Sequence, residues 1–384
     1  MSYNITERFD KSSILFNNGE SPKDYFYIIT KGRAVSYNSF YENYKISLKE
    51  GSIIGLISAI IKEPYYVTTE ALDDIEVLKI NINNIVQITN KELVSRVSNY
   101  LSYILETWLS KYYSLVIKNK VDLYNKEDIL IMASIYKNNN FIDASYKICI
   151  QYIELCKNEC NTEKVEQFLK YLKPKKEPEL IEKNTYKVKK GYCLYTEIVS
   201  SNHVYIIKSG RVGIYNIINK KQTVRLIYPE GYIINGYPPS LEYKPLQTTA
   251  IAIEDSVIEI LKKEELISAA NKNEELRIGL ILVTAVKVNN VTLKIKAVKE
   301  KELKNKLIII LYSIIKIETL FKKEKIIKLP YKIKDIIDMI DLNNDIKAIY
   351  AEFENIKHIE LDTFKNIIVN NTESFLEEYE NYIR

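Results

Sequence analysis

Four cysteines and two histidines are all that the 384-residue chain offers toward soft-metal or nucleophilic chemistry: Cys149, Cys156, Cys160, Cys193, His203 and His358. Cys149, Cys156 and Cys160 stand at i, i+7 and i+11 in one helical stretch, which places them on roughly one face. A zinc or iron–sulfur site needs further Cys or His at ligand spacing, and none follows. The cysteines therefore read as reduced, half-buried structural thiols, with no metal ligands. Two histidines leave little material for acid–base work, and neither a Gly-rich phosphate loop nor a Ser/His/Asp set is present. No catalytic residues are assigned, and the chain reads as non-enzymatic.

The other positions with chemical potential are glycines in a repeated frame. From Tyr27 the chain reads YIITKGRAVSY, and from Tyr205 it reads YIIKSGRVGIY. Each phrase alternates apolar and polar residues around a Gly, the signature of two half-buried strands joined by a tight hairpin. Gly32 and Gly210 mark the hairpins, and Gly51 and Gly231 mark a second turn about twenty residues on. A Thr-Thr pair and an acidic turn follow in both copies, TTEALDD and TTAIAIED. Residues 10–85 and 181–260 thus read as two copies of one all-β module.

The segments FYIITKGRAVSY, EGSIIGL and PYYVTTEAL, with VYIIKSGRVGIY, PEGYIING and PLQTTAIAIEDSVIEI, resemble the cyclic nucleotide-binding domain of the Crp–Fnr regulators and cyclic-nucleotide-gated proteins. The resemblance implies a jelly roll with a phosphate cassette. Backbone amides and an arginine hold the cyclic phosphate there, and a glutamate takes the ribose 2′-hydroxyl. Carried onto this chain, the first cassette comprises Gly51, Gly55, Leu56, Tyr65 and Thr68, with Leu56 in the glutamate slot and Tyr65 in the arginine slot. The second comprises Gly231, Asn235, Gly236, Leu246 and Thr248, with Gly236 and Leu246 in those slots. Neither keeps the charged pair. Lys244 stands two residues before Leu246 as a substitute point charge. The expectation is no cofactor, with cyclic nucleotide as the ligand to be tested.

These cassettes need helices behind them. An apolar stripe at spacings of three and four predicts a helix over 91–118, and its counterpart covers 262–300. Such helices pair in dimers of the family, so the two copies are expected to form an intrachain pseudo-dimer or to support a homodimer. Between the modules, residues 126–172 read as a helical hairpin resembling a single tetratricopeptide unit, with Tyr136, Phe141 and Ala144 at packing positions. KPKKEPE at 173–179 is a linker. Residues 303–375 resemble a worn winged helix. Ile336, Ile337, Met339 and Ile340 match its first helix-turn-helix element, and Ile346, Ile349, Tyr350 and Phe353 match the second. Asp341 stands where the family's turn has Gly, and Ala348 near its recognition arginine. The DNA-facing candidates are Asn343, Asn344 and Lys347.

Charge argues against duplex DNA. Helix 343–354 has Lys347 against Asp345, Glu352 and Glu354, and residues 335–384 carry twelve acids against four bases. A recognition element must approach a polyanion. Residues 285–334 hold fourteen Lys and four Glu, read as a solvated face or as a surface for nucleic acid or an acidic partner. The apolar fraction of 46% and charged fraction of 27% fit a globular chain. The runs IGLILVTAV and LIIILYSII are shorter than the roughly 18 residues a membrane span requires. The expected location is cytoplasmic.

The resulting expectation is an α+β chain of four segments. Residues 1–120 form a β-roll plus helix, 121–175 a helical hairpin, 180–300 a second β-roll plus helix, and 301–384 a small helical, winged-helix-like domain. Three functions compete: a regulatory protein using degenerate cassettes as protein-interaction modules, a Crp–Fnr-like transcription regulator, and an assembly scaffold. A protein partner is expected.

Overall fold

The computed structural model describes residues 5–38, 41–84, 91–117, 128–156, 161–175, 177–236, 238–241 and 246–383. Lys244 and Cys160 lie outside the described residues. The chain packs as two compact units. One comprises Met1–Trp108, Ile267–Ser313 and Ser374–Arg384, and the other Leu109–Leu266 and Ile314–Glu373.

The first roll is built from β1 (Ile5–Phe9), β2 (Ile14–Phe16), β3 (Tyr25–Lys31), β4 (Ala34–Asn38), β5 (Tyr41–Leu48), β6 (Ile53–Ile54), a short helix α1 (Leu56–Ile61), β7 (Thr68–Ala71) and β8 (Ile75–Asn81). They form two antiparallel four-stranded sheets, β1-β8-β3-β6 and β2-β7-β4-β5. Strand β3 shows why this sequence folds so. Tyr27 and Ile29 point between the sheets, against Phe16, Ala34, Leu48, Ile54 and Val77. Phe26, on the opposite face, joins Ile53, Leu56 and Ile80 under helical residues. Both faces are covered, so the strand is apolar on both. Gly32 has φ 87°, and a Cβ there would sit 2.7 Å from the Asp74 carbonyl oxygen. Gly210 repeats the feature, at φ 84° and 2.8 Å from the Asp255 carbonyl. Only glycine suits such a turn.

Helix α2 (Lys91–Val116) follows, then α3 (Ile129–Asn138), α4 (Ile142–Cys156) and α5 (Glu163–Leu169). The α3–α4 turn falls within the KNNN segment, where Asn140 adopts φ 65°. Tyr136 and Ala144 are fully buried. The hairpin is fastened to the second roll through buried polar groups. Tyr136 donates to Glu197 Oε1 at 2.6 Å, and Asp143 accepts from the Cys193 amide at 2.7 Å and the Lys175 amide at 2.8 Å. Cys149, Cys156 and Cys193 are buried free thiols.

The second roll comprises β9 (Glu179–Glu182), β10 (Thr185–Val188), β11 (Cys193–Tyr195), β12 (His203–Ser209), β13 (Val212–Ile218), β14 (Lys221–Tyr228), β15 (Ile233–Asn235), β16 (Thr249–Ala252) and β17 (Ser256–Lys262). Its sheets, β15-β12-β17-β10-β9 and β11-β16-β13-β14, repeat the first roll's order with β9 added at one edge.

The helix expected over 262–300 is two helices, α6 (Lys263–Lys272) and α7 (Glu274–Lys299). Asn273 breaks it: its backbone is extended, and its side chain accepts from the Leu276 amide as an N-cap. Helix α7 is long and apolar enough to cross a membrane, which the uninterrupted apolar runs had understated. Its most apolar stretch is 72% buried, as in a core helix. It belongs to the unit that contains the first roll.

The chain closes with α8 (Leu303–Thr319), β18 (Ile327–Lys332), α9 (Ile333–Met339), α10 (Ile346–Glu354), β19 (Ile359–Leu361), β20 (Asn366–Val369) and α11 (Thr372–Ile383). The three strands form one sheet, β18-β20-β19, with β19–β20 as a hairpin wing. The architecture is thus α+β: two jelly rolls with trailing helices, a helical hairpin between them, and a small C-terminal winged-helix-like bundle. The segments 1–120, 121–175, 180–300 and 301–384 follow chain order, whereas the compact units group α7 with the first roll.

Candidate functional site

Ladder register aligns the two cassettes. Tyr27 pairs with Ile54 in the first roll as Tyr205 pairs with Ile234 in the second. Gly55 therefore corresponds to Asn235, and Leu56 to Gly236. Tyr37 faces Thr68, and Tyr215 faces Thr249. Thr68 thus corresponds to Thr249, not to Thr248, while Tyr65 and Leu246 occupy one position. The pairing of the two Thr-Thr motifs by letter is one residue out of step with the strands.

In the first cassette, Gly51 turns the chain at φ 84° and its amide donates to the Ile29 carbonyl at 2.8 Å. Gly55, at φ 79°, starts α1 and lies under the Phe16 ring, where a Cβ would come within 2.6 Å of Cε2. Leu56 faces Phe26, Ile53, Val97 and Leu101 in an apolar cluster that also includes Ile281 of α7. Tyr65 is 3% exposed. Its ring stacks on Phe16 with centroids 4.3 Å apart, and its phenol oxygen accepts from the Lys23 amide at 3.1 Å. Burial pushes the phenol up to about 12. Thr68 Oγ1 accepts from the Asn18 amide at 3.1 Å, and Thr69 and Ser36 share a buried hydroxyl pair at 2.8 Å.

The two slots that the resemblance reserves for charge are therefore filled by an aliphatic and an aromatic side chain, both in the core. Aromatic stacking takes the volume, and the cassette's hydroxyls are used internally. What remains is a cavity of about 80 Å³ lined by the roll, α1, α2 and α7. Small-molecule sites of drug size run to about 300 Å³ or more.

The second cassette retains one charge that sequence reading missed. The β13–β14 ladder slips at Ile214/Tyr215, pairing Leu226 and then Val224, so Arg225 is the extra residue of a bulge. Its guanidinium donates to the Leu246 carbonyl at 3.3 Å and lies over the Tyr113 ring, 5.9 Å from its centroid. Tyr195 takes the Phe16 position, 5.5 Å from Tyr205, and its hydroxyl reaches Asn235 O and Thr248 Oγ1 at 3.3 Å each. Leu246 is buried and Asn235 exposed. Gly236 packs on Tyr205, where a Cβ would meet the ring at 2.7 Å, and Gly231 at φ 87° packs on Phe321. The bulge had no signal in the apolar pattern, because an inserted residue leaves the flanking alternation readable on both sides.

Beside this cassette the roll is fastened to the C-terminal elements. Arg211 Nη1 donates to Glu318 Oε2 at 2.6 Å, Tyr232 donates to the Ile317 carbonyl at 3.1 Å, and the Ile227 amide donates to the Tyr331 hydroxyl at 2.7 Å. Glu318 is buried, which pushes its carboxyl up to about 7 despite Arg211.

The DNA-facing candidates Asn343, Asn344 and Lys347 are exposed at the start of α10. Asp341 adopts φ 48° in the preceding turn, the conformation that a glycine would favour there and that Asp tolerates. Asp345 caps α10 by accepting from the Lys347 amide. Among the described residues no group of three or more His, Cys, Asp or Glu is placed to hold a metal.

The family model described as cyclic nucleotide-binding domain matches residues 6–92 and 186–273. Among solved structures, FixK2 from Bradyrhizobium japonicum is 16% identical over 50% of this chain and 95% of its own, with a TM-score of 0.39. A CooA mutant from Carboxydothermus hydrogenoformans is 18% identical over 51% and 87%, with a TM-score of 0.38. The cAMP-bound PfPKA-R is 15% identical over 72% and 79%, with a TM-score of 0.24. A search of curated proteins finds no match. The chain carries two cyclic nucleotide-binding domain folds in tandem.

Proposed function

We propose that the chain is a non-enzymatic regulatory protein in which two cyclic nucleotide-binding folds serve as interaction modules instead of cyclic-mononucleotide receptors. One observation carries this reading: Leu56 and Tyr65 are core residues where a charged pair would grip ribose and phosphate. A charge-assisted hydrogen bond contributes about 1.5–3 kcal/mol, so loss of both weakens binding by orders of magnitude. The α2 and α7 residues sharing one apolar cluster support helix pairing inside the chain, as a pseudo-dimer would use. The output is then contact with a protein partner. Calorimetry of the full chain with cyclic AMP and cyclic GMP tests the reading. No saturable heat is expected, and micromolar or tighter binding overturns it.

A second reading, a DNA-binding regulator, draws support from the exposed Asn343, Asn344 and Lys347 after a left-handed turn at Asp341. The acids Asp345, Glu352 and Glu354 on the same helix count against it, because they repel phosphate.

A further inference from the structure

The first roll's cavity has walls that suit something other than a nucleotide. Among the described residues no acidic or basic side chain lines it, and most of its lining is apolar, including Leu56, Ile104, Trp108 and Val288. Most of its polar groups are already engaged: Ser36 with Thr69, Ser58 with the Pro64 carbonyl, and Thr292 with the Val288 carbonyl. Asn289 of α7 differs. It is 4% exposed and lines the cavity beside Tyr66; its amide group is hydrogen-bonded to the Tyr66 phenol, but its Oδ1 accepts no hydrogen bond among the described residues. A buried amide carbonyl left in that condition is destabilising unless a donor is brought to it.

We propose that this cavity binds a small neutral molecule with an apolar body and a single O–H or N–H group, which donates to Asn289 Oδ1. The volume of about 80 Å³ sets the size. Liquid water takes ~30 Å³ per molecule, and a cavity of ~150 Å³ holds benzene. The occupant therefore has about three non-hydrogen atoms by the same scale. The absence of charge from the lining excludes ions, since a buried ion without a partner is strongly disfavoured. Because α7 supplies the acceptor while the roll and α2 supply the apolar walls, occupancy would couple the helix to the roll. This inference rests on the reading of the cassette as closed to cyclic nucleotides.

Ligand-observed NMR on the full chain tests it with two probes of equal size, ethanol, which has a donor, and acetonitrile, which has none. The alcohol is expected to bind about tenfold more tightly, the ratio one net hydrogen bond supplies. Asn289→Leu, of similar volume, should bring the alcohol down to the nitrile's level while the nitrile is unaffected. Equal binding of the two probes by the wild-type chain overturns the proposal without any variant. So does a preference for the alcohol that survives Asn289→Leu, or a cavity that takes water and neither probe. Cyclic AMP run in parallel separates the two ideas. If it binds tightly, the proposed function fails whatever the alcohol does, and if neither it nor the alcohol binds, the cavity proposal alone fails.

Discussion

The rings of Phe16 and Tyr65 stack 4.3 Å apart and 20° from parallel, closing the cassette of the first roll from inside. Tyr65 is thus a core residue where the family resemblance implies an arginine. Tyr65→Ala should cost about 3–5 kcal/mol, as aromatic truncations in cores do. Tyr65→Arg with Leu56→Glu should lower Tm and still give no cyclic AMP binding, because Phe16 keeps its place. Denaturation and calorimetry on these variants check both outcomes. Cyclic AMP binding gained by the double variant would show that charge alone had been lost.

Two glycines of that cassette should respond differently to alanine. Gly51→Ala meets no atom within 4 Å and bears only the strain of a positive φ, about 1–2 kcal/mol. Gly55→Ala bears the same strain and also drives a methyl into the Phe16 ring, 2.6 Å away. Its loss should be larger by about 1–3 kcal/mol, the usual range for overpacking. Urea unfolding of the pair gives the comparison directly, and equal losses would mean that Phe16 is free to move aside.

Glu318 predicts a pH dependence. Its carboxyl titrates near 7 in the folded protein, chiefly because it is buried, with Arg211 opposing the rise and Glu254 and Glu324 adding to it. A carboxyl raised on folding favours the folded state below its ordinary value of 4.5. That contribution is lost as pH rises through about 7. Its size is on the order of 3 kcal/mol. Stability measured from pH 4.5 to 8 should therefore show a falling component that Glu318→Gln removes. An unchanged slope in that variant would assign the component to other groups.

For duplex DNA the expected outcome is no sequence-specific binding at physiological salt. Residual association through the lysines of 285–334 should fall steeply as salt rises, since it rests on counterion release. Filter binding at several salt concentrations measures this. A specific site held at nanomolar concentration and lost on Lys347→Ala would instead establish a DNA regulator.

The rolls were legible because their cues are local. Alternating strands, a glycine at each hairpin and an acidic turn all lie within a few residues of one another, in Tyr27–Tyr37 as in Tyr205–Tyr215. The turn at Asp341 and the hairpin at Asn140 could be placed for the same reason. Positions set by long-range packing could not be read. The Thr68 and Thr248 frame slipped because ladder register, not letter identity, decides which residues face one another. Arg225 entered the second cassette through a bulge, and Asp143 and Glu197 became buried anchors through partners about fifty or more residues away. Nothing near Asn289 in the chain marks it as lining the first cassette, since the roll it adjoins ends some two hundred residues earlier.

The unit that contains the first roll is assembled from Met1–Trp108, Ile267–Ser313 and Ser374–Arg384, and this has a consequence for biosynthesis. The roll leaves the ribosome early, yet the α7 residues that join its apolar face, Ile281 among them, emerge after the whole of 109–266. At translation rates of about 5–20 residues per second the delay is on the order of 10–40 s. For that interval Phe26, Ile53 and Leu56 are without part of their cover. With that surface uncovered the nascent chain should bind chaperones during the wait, and a codon-level slowing within 109–266 should lower the yield of folded protein more than the same slowing placed after residue 313.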